Sequence, residues 1–337
     1  MQNAYLNYVA KRLVQAVLVV LLTYVFTFIV VSILPGDPVT NILRDPQNGF
    51  SDAQIAEIFA AHGLDKPILV QLWTSLSGFV VGDLGISLRS TRPVADLIAE
   101  VLPSTLRLAG ASLAVALVLA MVIAYGARFL PKRFGGGILR GLPSLFLSVP
   151  TFVIGLLLIH LFGFQLGLFK VIDSNSFWAT FFAALALGIP ISAQIAEVLM
   201  ANLDHEAAQD YAAVARARGL RQSKLFFRHL LKPSSLPVVT VIALMVGEVL
   251  GNTLITETVF GRTGVGSLIQ RSVVTQDLPV LQAVVSLAAV VFVVINLLAD
   301  LIYPLLDPRV KLVGSTPRRV TTADESSIDT APRKVSV

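Results

Sequence analysis

Cysteine is absent from this chain of 337 residues. That excludes disulfide frameworks, Cys-ligated zinc, iron–sulfur clusters and cysteine nucleophiles. Charge is scarce as well: 14% of the residues are Asp, Glu, Lys or Arg, where soluble domains carry about 25%. So little charge does not wet the surface of a globule of this size. Lys and Arg exceed Asp and Glu by five, too small a surplus for a nucleic-acid surface unless it is clustered. The four histidines, His62, His160, His205 and His229, are scattered without ligand spacing, so no metal site is expected. Neither Gly-x-Ser-x-Gly nor His-Glu-x-x-His occurs, and no catalytic residue is expected on this chain. The nearest thing to a phosphate-binding loop, Gly261-Arg262-Thr263-Gly264-Val265-Gly266-Ser267, lacks the lysine and reads as a turn. What remains is apolar: 55% hydrophobic residues and a mean hydropathy of +0.77. The composition is that of an integral membrane protein.

A bilayer core of about 30 Å needs roughly 20 apolar residues in a helix. Six stretches meet that standard: 13–34, 106–127, 139–164, 177–200, 236–256 and 280–303. The fold class is therefore all-α, a polytopic membrane protein with six transmembrane helices. Lys11-Arg12 before the first stretch resembles a signal peptide, but the run is longer than a signal's apolar core and Leu34-Pro35-Gly36-Asp37 is no cleavage site. It reads as a permanent anchor. Segments 1–12, 128–140, 203–233 and 305–337 hold 18 of the 26 basic residues. By the positive-inside rule these segments, and both termini, are expected in the cytoplasm.

The chain divides on this reading into an N-terminus with the first span (1–34), an extracytoplasmic helical segment (35–105), a transmembrane core (106–311) and a tail (312–337). The tail is rich in Ser, Thr and charge and reads as disordered. In the extracytoplasmic segment, Ser51-Asp52-Ala53-Gln54 has the form of a capping box and Gly63 sits where a helix would stop. Lys66-Pro67 reads as the start of a second helix over 68–81, Gly82-Asp83-Leu84-Gly85 as a turn, and 93–101 as a third short helix. A small helical cap accounts for this pattern, and a docking surface for an external partner is compatible with it.

The cytoplasmic stretch 204–233 carries a run of small residues from Ala207 to Ala217, broken at Gly219, after which 221–231 begins a second helix. Two short helices hinged at a glycine can present a knob to another protein. A basic loop lying on anionic lipid headgroups fits the same residues. Within the spans, Glu197 and Asp300 lie close enough to a membrane surface to reach water, whereas Glu248 lies about 18 Å into the fifth span. Gly247 and Gly251 flank it, and Asn252 follows one turn later. This pair is expected to line a translocation path, with a buried helix–helix hydrogen bond as the alternative. A carboxylate there suits a substrate with a positive group, such as a peptide amino terminus or a metal ion.

Several spaced motifs then resemble one family. Leu34-Pro35-Gly36-Asp37-Pro38, Gly63-Leu64-Asp65-Lys66-Pro67 and Gly82-Asp83-Leu84-Gly85-Ile86-Ser87 come first. Asp210-Tyr211, Ala215-Arg216-Ala217-Arg218-Gly219-Leu220, Arg228-His229 and Leu236-Pro237 follow. Glu257-Thr258-Val259-Phe260, Asn296, Asp300, Tyr303 and Leu306-Asp307-Pro308-Arg309 close the series. From residue 8 to about 311 the chain is similar to the inner-membrane permeases of ABC importers of the dipeptide/oligopeptide/nickel class.

That resemblance implies a permease paired with a second, homologous permease, two cytoplasmic ATPase subunits and an extracytoplasmic substrate-binding protein. ATP and Mg²⁺ would belong to the ATPases, so this chain would hold no cofactor. It also implies that the helix ahead of Gly219 inserts into the ATPase, through Ala213, Ala215, Arg216, Ala217, Arg218, Gly219 and Leu220. The literal Glu206-Ala207-Ala208 is too far from Gly219 to be the family's Glu-Ala-Ala element; Ala213-Val214-Ala215 stands in its place, without the acid. Glu248 and Asn252 replace residues usually small and apolar in relatives. The substrate expected is a di- or oligopeptide, with nickel chelates, glutathione or opine-like solutes as alternatives. An ion-coupled secondary transporter and a structural scaffold are the competing classes.

Overall fold

The computed structural model describes residues 2–33, 51, 66–130 and 135–306. The expected capping box, apart from Ser51, Gly63 and the tail lie outside the described residues. Ten helices are described: α1 (Gln2–Ile33), α2 (Ile68–Val81), α3 (Val94–Phe129), α4 (Gly136–Ser148) and α5 (Thr151–Gln165) come first. They are followed by α6 (Phe177–Ala207), α7 (Asp210–Ala217), α8 (Gln222–Val259), α9 (Val265–Val274) and α10 (Leu278–Leu306). Among the described residues no strand forms beyond an isolated bridge between Ile86 and Pro93. Five helices are long and apolar enough to cross a bilayer, and α4 with α5 makes a sixth if that bent pair crosses as one.

The chain is built around α6. Of its apolar stretch 67% is buried inside the chain, against 11% for α1. Small residues explain this. Ala183, Ala184, Ala186, Gly188, Ala193 and Ala196 cover several faces of the helix, and the alanines among them are fully buried. Between apolar helices in lipid there is little solvent-driven attraction, so close backbone approach supplies the contact energy. At Gly188 a Cβ would stand 3.0 Å from the Ser112 carbonyl oxygen of α3. One core cluster joins α3, α6 and α8 through Ala116, Ile123, Ile191, Ile195, Phe226 and Val238. A second, aromatic cluster lies toward the α9 end, where Phe182 stacks on Phe162 and Phe169, and Phe169 on Phe260. Helix α1 packs outside, on α10: the buried Gln282 donates to the Tyr24 carbonyl at 3.0 Å.

Three expectations are corrected. The third span is not a straight helix: α4 and α5 meet at 103° across Val149-Pro150. Proline drives the preceding residue out of the helical region, and Val149 is extended, at φ −108° and ψ 123°. The short helix at 93–101 is not separate. Pro93 caps α3, and the buried series Val94, Ile98, Val101, Thr105, Leu108 runs on at helical spacing through Pro103. The boundary expected at 105/106 therefore falls inside a helix. The helix after Gly219 likewise runs without a break into the fifth span as α8. Pro233 has no N–H, and its ring presses on the carbonyl four residues back; a wider π-turn over Phe226–Leu230 occupies that place. The helix expected at 68–81 forms there, started at Pro67 and stopped by Gly82 at φ +87°.

One approach between helices leaves no room for a side chain. A Cβ on Gly266, in the first turn of α9, would lie 2.5 Å from the Leu254 Cα. Gly266→Ala is expected to destabilise the purified protein by about 2 kcal/mol, the usual cost of overpacking. Gly110→Ala, where nothing lies within 4 Å, is expected to leave it unchanged or slightly more stable. Thermal unfolding of both variants in one detergent checks the contrast.

Candidate functional site

The first candidate surface is α7, at one end of the bundle. Gln209 precedes the helix, Asp210 complements its N-terminal dipole and Arg216 its last turn. Its end is a Schellman turn: the Leu220 N–H donates to the Ala215 carbonyl at 3.2 Å and the Gly219 N–H to that of Arg216 at 2.9 Å. Gly219 takes φ +75°, a backbone region open to glycine and strained for other residues. Ala212 is buried and Ala215 half-buried, so this side faces the core. Ala213, Val214, Arg216, Ala217, Arg218 and Gly219 are exposed, and Leu220 is half-buried.

Contacts behind α7 brace it on the bundle. Arg216 donates from Nη2 to the Ala207 carbonyl, which lies in the last turn of α6 and has no partner within that helix. Arg216 is thus tied into the chain rather than free on the exposed face. The Tyr211 hydroxyl donates to Glu206 Oε2 at 2.7 Å. Loss of hydration, then this bond and the Glu206 charge, push the Tyr211 hydroxyl up to about 12. One turn earlier, Asp204 accepts two bonds from Arg140 of α4, at 2.8 and 3.2 Å, with Arg128 of α3 at 3.5 Å. The ends of α3, α4 and α6 therefore converge beside α7.

The second candidate surface is a polar strip between α6 and α8. Glu248 is exposed on α8 and accepts from Gln194 Nε2 of α6, at 3.3 Å to Oε1 and 3.4 Å to Oε2. Asn252 is half-buried on the same side of α8, one turn on. Glu197 is exposed one turn beyond Gln194. Sequence reasoning passed over Gln194, because a search for ionisable groups does not register an amide in an apolar run. About 100° around α8 from Glu248, Gly247 seats Phe292 of α10, with 2.8 Å between a would-be Cβ and the ring. That packing sets which way Glu248 turns.

A third cluster, at the far end of the bundle, carried no role in the sequence reading. Glu257 has no exposed surface. Its carboxylate accepts from Thr105 Oγ1 of α3 at 2.6 Å and from the Gly266 N–H of α9 at 2.8 Å. Thr105 Oγ1 in turn accepts from the Val265 N–H at 2.9 Å. The carboxylate thus sits at the N-terminus of α9, where helix dipole and free N–H groups favour a negative charge. Gly264 has to be glycine here, since a Cβ would stand 2.1 Å from that carboxylate. The nearly buried Arg262 donates to the Ser174 carbonyl and, at 2.9 Å, to Thr180 Oγ1 of α6. Burial pulls its guanidinium below the ordinary range, against the opposing pull of Glu257. Nearby, Asp277 accepts from Ser87 Oγ at 2.5 Å and the Leu88 N–H at 3.2 Å, fastening the turn after α2 to the start of α10. The signal for Glu257 was a carboxylate closing an apolar span, followed by Gly264-Val265-Gly266.

Residues 113–312 match the family described as "binding-protein-dependent transport system inner membrane component". Residues 5–109 match the corresponding N-terminal family. The chain belongs to this family of ABC importer permeases. It is a multi-pass inner-membrane subunit of the dipeptide/oligopeptide/nickel type, a component of a transport system. The permease is 34% identical to the glutathione transport system permease protein GsiC of Escherichia coli O6:H1, over 91% of this chain and 99% of that one. GsiC of Shigella boydii serotype 4 is 33% identical with the same coverage. A crystal structure of an amino acid ABC transporter with histidines superposes with a TM-score of 0.49 at 17% identity, covering 62% of this chain and 94% of the other.

Glu257 is expected to be a structural residue of the permease. Glu257→Ala strands the Thr105 hydroxyl and the Gly266 N–H and is expected to cost about 3 kcal/mol. Glu257→Gln, which keeps one acceptor, is expected to cost about half as much. Thermal unfolding of the purified variants checks the order.

Proposed function

We propose that the permease forms one half of an import path for short peptide-like solutes, glutathione among them. The reading is carried by the similarity to GsiC along nearly the whole of both chains. Glutathione is a tripeptide, with a free amino group and two carboxylates. The strip between α6 and α8 offers chemistry of that kind: the Glu248 carboxylate for an ammonium, and the Gln194 and Asn252 amides for carboxylates or peptide groups. A carboxylate held far into a span costs about 2.5–3.5 kcal/mol on insertion scales. A water-filled path shared with a second, homologous permease offsets that cost.

The α7 end carries the basic segments and faces the cytoplasm on this reading. Two ATPase subunits would hold ATP and Mg²⁺ there, and an extracytoplasmic binding protein would deliver the solute at the opposite end. The exposed face of α7, with Ala213, Val214, Ala217 and Arg218, is narrow enough to enter a cleft. Arg216, fastened to the end of α6, and the Schellman turn at Gly219, leading into α8, transmit its movement. Both helices that carry the polar strip are thus attached to one short lever. Rigid-body rocking then opens the strip to one side or the other.

Reconstitution with candidate ATPases, a sister permease and a binding protein tests the reading. Gly219→Asp is expected to abolish substrate-stimulated ATP hydrolysis while the complex still assembles; unchanged hydrolysis would refute the coupling role of α7. Glu248→Ala is expected to lower glutathione or dipeptide uptake about tenfold, equivalent to about 1.4 kcal/mol in the transport barrier. Uptake by this chain alone, collapsing with an ion gradient, would point instead to a secondary transporter.

A further inference from the structure

Helix α2 is unlike every other short helix among the described residues. Its sequence, ILVQLWTSLSGFVV, contains no charged residue, and none of its residues is buried. Leu69, Trp73, Val80 and Val81 are each more than two-thirds exposed. A helix with this composition and no cover does not persist in water. At 14 residues it extends about 21 Å, too short for a core of about 30 Å.

Its position on α1 shows what covers it. The Phe79 ring lies 4.9 Å from that of Tyr24. Tyr24 is six residues inside the end of the apolar stretch Val9–Val30 of α1, hence about 9 Å below its edge. The last turns of α2 therefore meet the first span within the depth of the hydrocarbon. The side of α1 turned away from α2 is itself apolar and exposed, at Leu22, Phe26 and Ile29. Two of the three hydroxyls of α2 are satisfied within the helix: Thr74 Oγ1 donates to the Val70 carbonyl at 2.9 Å and Ser77 Oγ to that of Thr74 at 2.9 Å. That is how a helix carries hydroxyls where water is scarce. Charge returns just beyond both ends, at the exposed Lys66 and Asp83.

We propose that α2 is a membrane-embedded interfacial helix, lying in the leaflet at the α9 end of the bundle, with lipid as its partner. It anchors the segment that follows, in which Ser87 and Leu88 clasp Asp277. The clasp between α2 and α10 is thereby held at the level of the lipid headgroups. A tryptophan on its exposed face is the residue favoured at that level.

The chain has two tryptophans and no cysteine, which makes the test direct. Trp178→Phe leaves Trp73 as the sole reporter in the full-length protein, placed in phosphatidylcholine nanodiscs. Lipid brominated near the headgroup is expected to quench Trp73 about twofold, more than lipid brominated at the chain ends, and aqueous iodide is expected to have little effect. Quenching by iodide with none by brominated lipid would overturn the proposal, placing α2 in water. Absence of quenching by both would overturn it as well, since protein would then cover the helix. In the second measurement, single cysteines at Leu69 and Val80 are expected to react with a charged maleimide about tenfold more slowly than cysteines at Lys66 and Asp83. Equal rates at all four positions would contradict embedding.

Discussion

Helix α6 is surrounded on nearly every side only because its side chains are small, and the other helices take their places from that. Apolar helices gain little from leaving lipid for one another, so contact depends on how closely backbones approach. Ala183, Ala184, Ala186 and Gly188 allow α3 and α5 to close on the half of α6 near its start. Ala193 and Ala196 lie in the half nearer α7, where Ile191, Ile195 and Leu199 fill the space toward α8. The amide of Gln194 is left half-buried on a strip that stays partly open, opposite Glu248. The same packing that makes α6 central thus makes that strip the polar surface of the spans.

The two ends of the bundle use polar groups differently. At the α9 end they are buried and matched: Glu257 joins α3, α8 and α9, while Arg262 joins the loop to α6. Deeply buried partners of this kind hold one arrangement, because any departure leaves a polar group unpaired in an apolar surround. At the α7 end the ion pairs around Asp204 are half-exposed and individually worth little. They tie together helix ends that can still shift. A closed end and an adjustable end suit a transport subunit whose proposed drive arrives through α7.

Much of this was legible. Runs of apolar residues mark the spans whatever their neighbours are, since each must satisfy its own backbone in lipid. Pro67 and Gly82 mark the limits of α2, and Gly219 the end of α7, because these positions need particular backbone angles. The bend at Val149-Pro150 was written in the chain too, but an apolar run that continues across it masks a local rule. The short helix expected at 93–101 failed in the opposite direction: α3 runs on through Pro103 because the buried face from Val94 to Leu108 is continuous. Glu257 was the largest omission. Its neighbours in sequence are apolar or hydroxylic, and its partners Thr105 and Gly266 stand 152 and 9 positions away.

The sequence by itself determined that this chain lives in a membrane, how many apolar stretches it has, and which family it belongs to. Those follow from composition and from short motifs in order, properties that each segment carries alone. Only the tertiary structure decided which carboxylate is locked away and which is open. Glu248 and Glu257 lie nine residues apart on one helix, two and a half turns. That separation turns them to different sides, one toward the open strip beside α6 and the other into the closed junction with α3 and α9. A rotation of α8 about its axis would exchange those surroundings, and what prevents it is the seating of Gly247 on Phe292 and of Gly266 on Leu254.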